Sequence, residues 1–417
     1  MQVEQRLAAL KPTAVAIFLS AECRMKCTYC YIEDKECMKE YQYKAIKWVE
    51  SNQYILDIQE AFGCEIGEIG FWGAEPTLTL DYVDTEILLN SFPNLKLLHL
   101  STGFLQVDYI LSFIDRMIKS IKDRKFEIKI QITLDGNEEI NDINRGKGTT
   151  KIIVNNIDTL LNYLNSIETH IKFDITNNTT ISNNNFDYLL SGKIENQMKF
   201  MEDLDFKYKE ILRKNISANF KYYNRIATGL NYTKSDGEKY SKLQDWMFLT
   251  KSDLKVGERF SIPVIMTCRM YCAAGGAGIA LDFNKKIHIC HRTFGYNLDN
   301  YKSKSNLVKN YIYDIKDKDK AIHIGKYISF GSMPIRMSLS TSLIKVLVKS
   351  GEISPLFADD FCAYILAKFV NTTVYCAFDN LVQTGSPYVT SSHLYKVYAN
   401  GLFEKYMKHY LGDINAI

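Results

Sequence analysis

Three cysteines, Cys23, Cys27 and Cys30, stand at the spacing C-x3-C-x2-C in the segment Ala21-Glu-Cys-Arg-Met-Lys-Cys-Thr-Tyr29-Cys30. Thiolates at this density on one short stretch are metal ligands before they are anything else. Three are one short of the usual four for an iron–sulfur cluster. A cluster held by three leaves one iron open, and an open position is what makes a bound metal catalytic rather than structural. The competing reading is zinc. Zinc sites prefer two C-x2-C-like pairs, and no second pair follows within about thirty residues.

A second set of thiols lies past the middle of the chain as Cys268-x3-Cys272-x17-Cys290, with Gly275, Gly276 and Gly278 after the second cysteine. The stretch Ile279–Cys290 alternates like a strand–turn–strand hairpin. Cys362 and Cys376 follow downstream, then Asn380 and Gly385-Ser-Pro387. Cys37 and Cys64 belong to neither set and read as core cysteines.

Three further segments carry polar groups in a constant place, just after an apolar run. Gly70-Phe-Trp-Gly73-Ala74-Glu75-Pro76-Thr77 pairs small residues with a carboxylate, which suits close approach to a ligand ammonium. Leu100-Ser101-Thr102-Gly103 offers two hydroxyls. Thr133-Leu-Asp135-Gly136 leads into Asn144-Arg145-Gly146, where a guanidinium can take a carboxylate through two parallel hydrogen bonds.

The elements that must position these groups alternate. Ala14–Leu19, Glu68–Trp72, Leu95–Leu100, Ile128–Leu134 and Ile171–Ile175 read as strands. Tyr43–Ala61, Asp81–Leu89, Val107–Ile121 and Thr150–Leu164 read as the helices between them. Such alternation argues a parallel sheet with crossover helices, and the motifs fall at the C-terminal ends of its strands. Residues 182–262 do not read clearly. Lysines concentrate in 300–330, as expected of a solvated face. Lys+Arg 51 against Asp+Glu 48 gives +3, which supplies no argument for a nucleic-acid or membrane-surface partner. No apolar run reaches the roughly 18 residues of a membrane span, and no secretory signal is evident. The expected location is cytoplasmic, where clustered cysteines mean metal rather than disulfides.

Together these motifs resemble the radical S-adenosylmethionine (radical SAM) superfamily, in its SPASM-type branch of peptide and protein maturases. The resemblance implies an α/β fold: a partial (β/α)6 TIM-like barrel over residues 1–260, with 182–260 an insertion or barrel end, and a SPASM-like iron–sulfur extension over 261–417. It implies a [4Fe–4S] radical cluster on Cys23, Cys27 and Cys30, with S-adenosylmethionine on its open iron. Tyr29 would lie near the adenine. Gly73, Ala74 and Glu75 would take the amino group, and Ser101 and Thr102 the ribose. Thr133, Asp135 and Arg145 would serve the carboxylate end. Cys268, Cys272, Cys290 and Cys376 would hold one auxiliary [4Fe–4S] cluster, with Cys362 outside it. In the hairpin Lys286 stands where the family has its turn glycine. His291 is the candidate proton acceptor. The implied activity is anaerobic radical modification of a ribosomally synthesised peptide (thioether or carbon–carbon crosslinking, or epimerisation), with a flavodoxin- or ferredoxin-like electron donor. A formylglycine-type maturase of a partner enzyme and a non-catalytic metal-binding scaffold are the alternatives.

Overall fold

The structure is a computed structural model. It describes residues 13–122, 124–181, 187–213, 215, 217–226, 239, 279–302, 305–326, 328, 333–373, 377–390 and 392–399. The chain forms two compact units, residues 1–179, 201–222 and 273–327 in the first and 180–200, 223–272 and 328–417 in the second.

The first unit is built on a sheet. Its strands are β1 (Ala14–Ser20), β2 (Glu68–Gly73), β3 (Leu97–Thr102), β4 (Phe126–Ile132), β5 (Ile171–Ile181), β6 (Ala218–Ile226), β7 (Ala280–Leu281), β8 (Lys286–His288) and β9 (Ile312–Asp314). The spatial order is β6-β5-β4-β3-β2-β1-β7-β8-β9. Pairings from β5 across to β7 are parallel, and β7-β8-β9 is antiparallel. This is a mixed α/β partial barrel: the parallel sheet is what the strand–helix alternation predicts, and the open barrel is what the resemblance implies. Ala-Val-Ala-Ile-Phe-Leu-Ser in β1 is buried throughout. A continuous apolar run is what a strand covered on both faces requires.

β3 and β4 alternate instead. Leu98, Leu100, Ile128, Ile130 and Ile132 are buried, while His99, Ser101, Lys129 and Gln131 on the other face are only half-buried. The helix Val107–Ile121 follows β3, and its Phe113 meets Phe71 of β2 edge-on. It buries Val107, Ile110, Phe113, Ile114, Met117 and Ile121, the spacing of one helical stripe.

Two expected helices are broken. The run 43–61 becomes Gln42–Glu50 and Gln53–Phe62, separated at Asn52, which is left-handed at φ 58°. The run 81–89 becomes a 3-10 turn, Pro76–Tyr82, and a helix, Thr85–Ser91, capped by the Asp84 carboxylate. A helix Glu138–Arg145, capped by Asn137, was not anticipated. Cys64 is exposed rather than core, while Cys37 is buried as expected.

The hairpin at 280–288 joins the sheet as β7 and β8, beside β1. The turn residue differs from the expected one: Lys285, not Lys286, takes the left-handed conformation at φ 57°. Lys286 is instead the first residue of β8. Lys285 Nζ lies 3.0 Å from Asp57 Oδ1. That fully buried carboxylate also accepts from Trp48 Nε1 at 2.7 Å and Gln53 Nε2 at 2.8 Å. The expected boundary at 260/261 falls outside the described residues.

The second unit, among its described residues, is helical: Met333–Lys349, Asp360–Thr373, Ala377–Thr384 and Ser392–Val397. Its core includes Ile344, Leu347, Phe357, Leu366, Phe369, Tyr395 and Tyr398. The buried Asn371 links three of its segments, donating from Nδ2 to Ser340 Oγ at 3.0 Å and accepting from Thr390 Oγ1 at 3.2 Å. No helix among the described residues is long and apolar enough to cross a membrane.

His99 gives this fold a pH signature. Burial, then the neighbouring Lys129, push its pKa down to about 4, from 6.5. The unfolded chain therefore binds a proton that the folded chain refuses between those values, and stability should fall as pH drops from about 6.5 to 4. The loss should be on the order of 2–3 kcal/mol. Denaturant titrations across that window should show a shallower acid loss in His99→Gln than in the parent; parallel curves would contradict this account.

Candidate active site

The loop carrying the three thiols leaves β1 with little regular structure of its own, so side chains from elsewhere must hold it. Gln42 holds its start. Its Oε1 accepts from the Ala21 N–H at 2.8 Å, the Glu22 N–H at 2.9 Å and the Ser20 hydroxyl at 3.0 Å. Lys35 Nζ donates to the Met25 carbonyl at 2.6 Å. The Thr28 N–H donates to the Asn144 carbonyl at 2.9 Å. Cys23, Cys27 and Cys30 are thereby half-buried on one loop at the C-terminal end of β1.

The end of β2 lies against it. Gly73 sits at φ +121°, where a side chain is strained, and a Cβ there would meet the Ser20 carbonyl oxygen at 2.3 Å. The Ala74 N–H donates to that same oxygen at 2.9 Å. Ala74 stands at the position where the resemblance expects a second glycine. Glu75 is buried and ties β2 to β3. Its Oε1 accepts from Thr77 Oγ1 at 2.8 Å, the Thr77 N–H at 3.3 Å and Thr102 Oγ1 at 2.7 Å. Its Oε2 accepts from the Gly103 N–H at 2.7 Å, which leaves that oxygen room for a further donor. Thr102 is committed on both sides, since its hydroxyl also accepts from the Phe104 N–H at 2.9 Å. Ser101 accepts from Gln131 Nε2 at 3.1 Å. A Cβ at Gly103 would meet Met25 Sδ at 2.3 Å, so that side chain would have to shift.

The end of β4 closes the third side. Thr133 and Asp135 are buried. Asp135 Oδ2 accepts from the Tyr29 hydroxyl at 2.6 Å and Asn144 Nδ2 at 3.2 Å. Arg145, buried on the helix Glu138–Arg145, donates from Nη1 to Tyr29 at 2.7 Å and from Nη2 to Met25 Sδ at 3.1 Å. The structure therefore brings Tyr29, Glu75, Asp135 and Arg145 to one loop. Sequence reasoning missed Gln42, Met25 and Asn144. Only the Asn-Arg-Gly run gave any signal, for Asn144.

Burial, then the Glu75 carboxylate, push the Cys23 thiol up to about 12. Burial also raises Cys27, against the pull of Arg145. Reactive cysteines need the opposite shift. For Arg145, Tyr29, Cys27 and Asp135 outweigh burial and raise the pKa above its ordinary value, so the charge is firmly held.

Two buried atoms test whether this site fits a bound zwitterion. Arg145 Nε, a donor, and Asn144 Oδ1, an acceptor, have no partner among the described residues. Buried polar atoms are seldom left so. A ligand bearing carboxylate and ammonium groups supplies what they lack, so the residues fit S-adenosylmethionine. Among the described residues, no three His, Cys, Asp or Glu side chains could together hold one metal ion. A four-iron cluster, whose ligand sulfurs stand roughly 6–7 Å apart, does not need that convergence.

Of the second cysteine set, Cys268, Cys272 and Cys376 lie outside the described residues. Cys290 follows β8, half-buried. The Thr293 hydroxyl fixes its carbonyl at 2.7 Å, and His288 and Asp282, both buried, back up Thr293 through contacts of 2.7 and 3.0 Å. His291 stacks on Trp72 with ring centroids 4.3 Å apart and meets Tyr31 edge-on at 6.0 Å. Burial raises the Tyr31 pKa, and both Cys30 and Cys290 add to it, so the two cysteine segments share a neighbourhood. Cys362 begins the helix Asp360–Thr373 of the second unit.

Comparisons with known proteins agree with this geometry. Residues 17–178 match the family profile described as the Radical SAM superfamily. A solved structure described as native anSMEcpe with bound AdoMet is 17% identical with a TM-score of 0.50, covering 76% of this chain and 84% of that one. Another, described as native anSMEcpe with bound AdoMet and Cp18Cys peptide, is 17% identical with a TM-score of 0.48, over 76% and 83%. At such identity the likeness is one of fold. No curated protein sequence matches this chain. Residues 17–178 are thus similar to the Radical SAM superfamily, and that match supports S-adenosylmethionine and a [4Fe–4S] cluster as cofactors.

The carboxylate of Glu75 also ties β2 to β3. Glu75→Gln turns one acceptor oxygen into a donor that faces donors, at a cost of about 1–3 kcal/mol. Chemical denaturation of the metal-free protein should report this loss; an unchanged midpoint would show that the four hydrogen bonds contribute nothing.

Proposed function

We propose that this chain is a radical SAM maturase that modifies a ribosomally synthesised peptide. The observation that carries the reading is the cysteine loop. Its three cysteines are half-buried on one loop that Gln42, Lys35 and the Asn144 carbonyl hold, with Arg145 bonded to Tyr29 and Met25 of that loop. Cys23, Cys27 and Cys30 would hold the radical cluster. Glu75 Oε2 and Arg145 Nε would take the cofactor's ammonium and carboxylate. When bound there, S-adenosylmethionine supplies a 5′-deoxyadenosyl radical able to abstract hydrogen from carbon.

The chain's own residues then have distinct tasks. Gly73 and Gly103 keep side chains out of the space that the ligand and Met25 need. The half-buried polar face of β3 and β4 meets the substrate. His291, set beside Cys290 and stacked on Trp72, accepts a proton from the peptide. Cys290, with Cys268, Cys272 and Cys376, would hold one auxiliary [4Fe–4S] cluster, a group able to take back an electron or hold a substrate thiolate. A crosslink or an epimer is the product, and a small flavin or iron–sulfur protein is the electron donor.

Replacing Cys23, Cys27 and Cys30 together with Ala should abolish 5′-deoxyadenosine formation after anaerobic reconstitution and reduction. It should leave about half of the iron, because the auxiliary site has its own ligands. Undiminished cofactor cleavage would sink the radical reading. Zinc in place of iron in the native protein would make the chain a metal-binding scaffold.

A further inference from the structure

Met25 lies between Cys23 and Cys27, and both its N–H and its carbonyl have partners. The N–H donates to Cys23 Sγ at 3.4 Å, and the carbonyl accepts from Lys35 Nζ at 2.6 Å. Lys35 reaches back ten residues to make that bond. Its own backbone is fixed at the start of the helix Lys35–Glu40. There the Asp34 carboxylate accepts from the Cys37 N–H at 3.0 Å, and the Glu33 N–H donates to the Tyr301 hydroxyl at 2.8 Å. Lys35 is half-buried and lines the same hollow as Cys27 and Cys30. A fixed cation therefore stands beside the cysteine loop. Burial raises the pKa of Cys23 and of Cys27, and at both the Lys35 ammonium acts against it.

We propose that Lys35 sets the reduction potential of the radical cluster, its ammonium stabilising the added electron from its place on the Met25 carbonyl. The proposal rests on the reading above, in which Cys23, Cys27 and Cys30 hold that cluster. A four-iron cluster on three thiolates is anionic, and an electron taken up makes it more so; net charge nearby is one of the terms that fix its potential. A cation held beside it favours the reduced form. The step concerned is a one-electron reduction. The electron comes from the small flavin or iron–sulfur protein named above and stays on the cluster, and no bond forms or breaks. Arg145, the other cation that acts on Cys27, faces the ligand carboxylate in that reading, so its charge is offset once the ligand binds. Lys35 has no such duty.

Three substitutions split the charge of Lys35 from its hydrogen bond. Lys35→Gln keeps an N–H donor for the Met25 carbonyl without the charge, Lys35→Met removes both, and Lys35→Arg keeps both. Each reconstituted protein is titrated electrochemically with dithionite and mediators. The readout is the electron paramagnetic resonance signal of the reduced cluster that S-adenosylmethionine perturbs. At a fixed potential the ratio of reduced to oxidised cluster should fall about three- to tenfold in both neutral variants, a shift of roughly 30–60 mV to more negative potential. Screening by solvent at a half-buried site keeps the effect to this size. Lys35→Arg should stay within about twofold of the parent. If only one neutral variant loads iron, it carries the comparison with Lys35→Arg. A neutral variant that titrates as the parent does, or a Lys35→Arg protein shifted as far as the neutral ones, overturns the inference. Failure of both neutral variants to load iron overturns it too, because Lys35 would then be a brace for the loop. Parent protein that loads iron yet gives no signal responsive to S-adenosylmethionine overturns the functional reading, and the inference with it.

Discussion

An irregular loop that must present three thiols has little hydrogen-bond ladder of its own, so it keeps its shape only if other elements take up its backbone groups. That constraint organises the first unit. Gln42, Glu75 and Arg145 come from three different places in the chain, and each spends its side chain on the loop or on its immediate surroundings. Parallel strands make this possible. Their C-terminal ends all point the same way, so residues some fifty or more positions apart in sequence arrive at one rim.

The same arrangement fixes the charge balance. Burial favours the protonated form of Cys23 and Cys27, so a metal that binds them must displace their protons, which makes its binding pH-dependent. Arg145 and Lys35 both pull the Cys27 pKa down, while Glu75 pushes Cys23 up. The glycine pattern is not decorative: Gly73 and Gly103 each stand where a methyl group would meet an atom at 2.3 Å.

Much of this was legible in the sequence because it is carried by local signals. The cysteine spacing, the small residues before Glu75 and the period-two runs of β3 and β4 each depend on near neighbours. What escaped depends on tertiary contact. Asn52 breaks a helix that periodicity alone would continue, because an asparagine tolerates the left-handed turn. Lys285 rather than Lys286 turns the hairpin. Asp282 accepts from the N–H groups of Asn284 and Lys286, and Asp57 receives the Lys285 ammonium. Gln42 carries no motif at all; only the fold shows that its amide closes the end of β1.

The neighbour of β1 has a consequence for biogenesis. One edge of this wholly buried strand pairs with β2, but the other waits for β7, which begins at Ala280, 260 residues after Ser20. At ribosomal speeds of about 5–20 residues per second, that interval is roughly 13–50 s. Throughout it an apolar edge with unpaired N–H and C=O groups stands ready to pair with another chain. The newly made protein is therefore most exposed to aggregation before its hairpin emerges, and shielding of that edge during synthesis decides how much of it reaches the folded state.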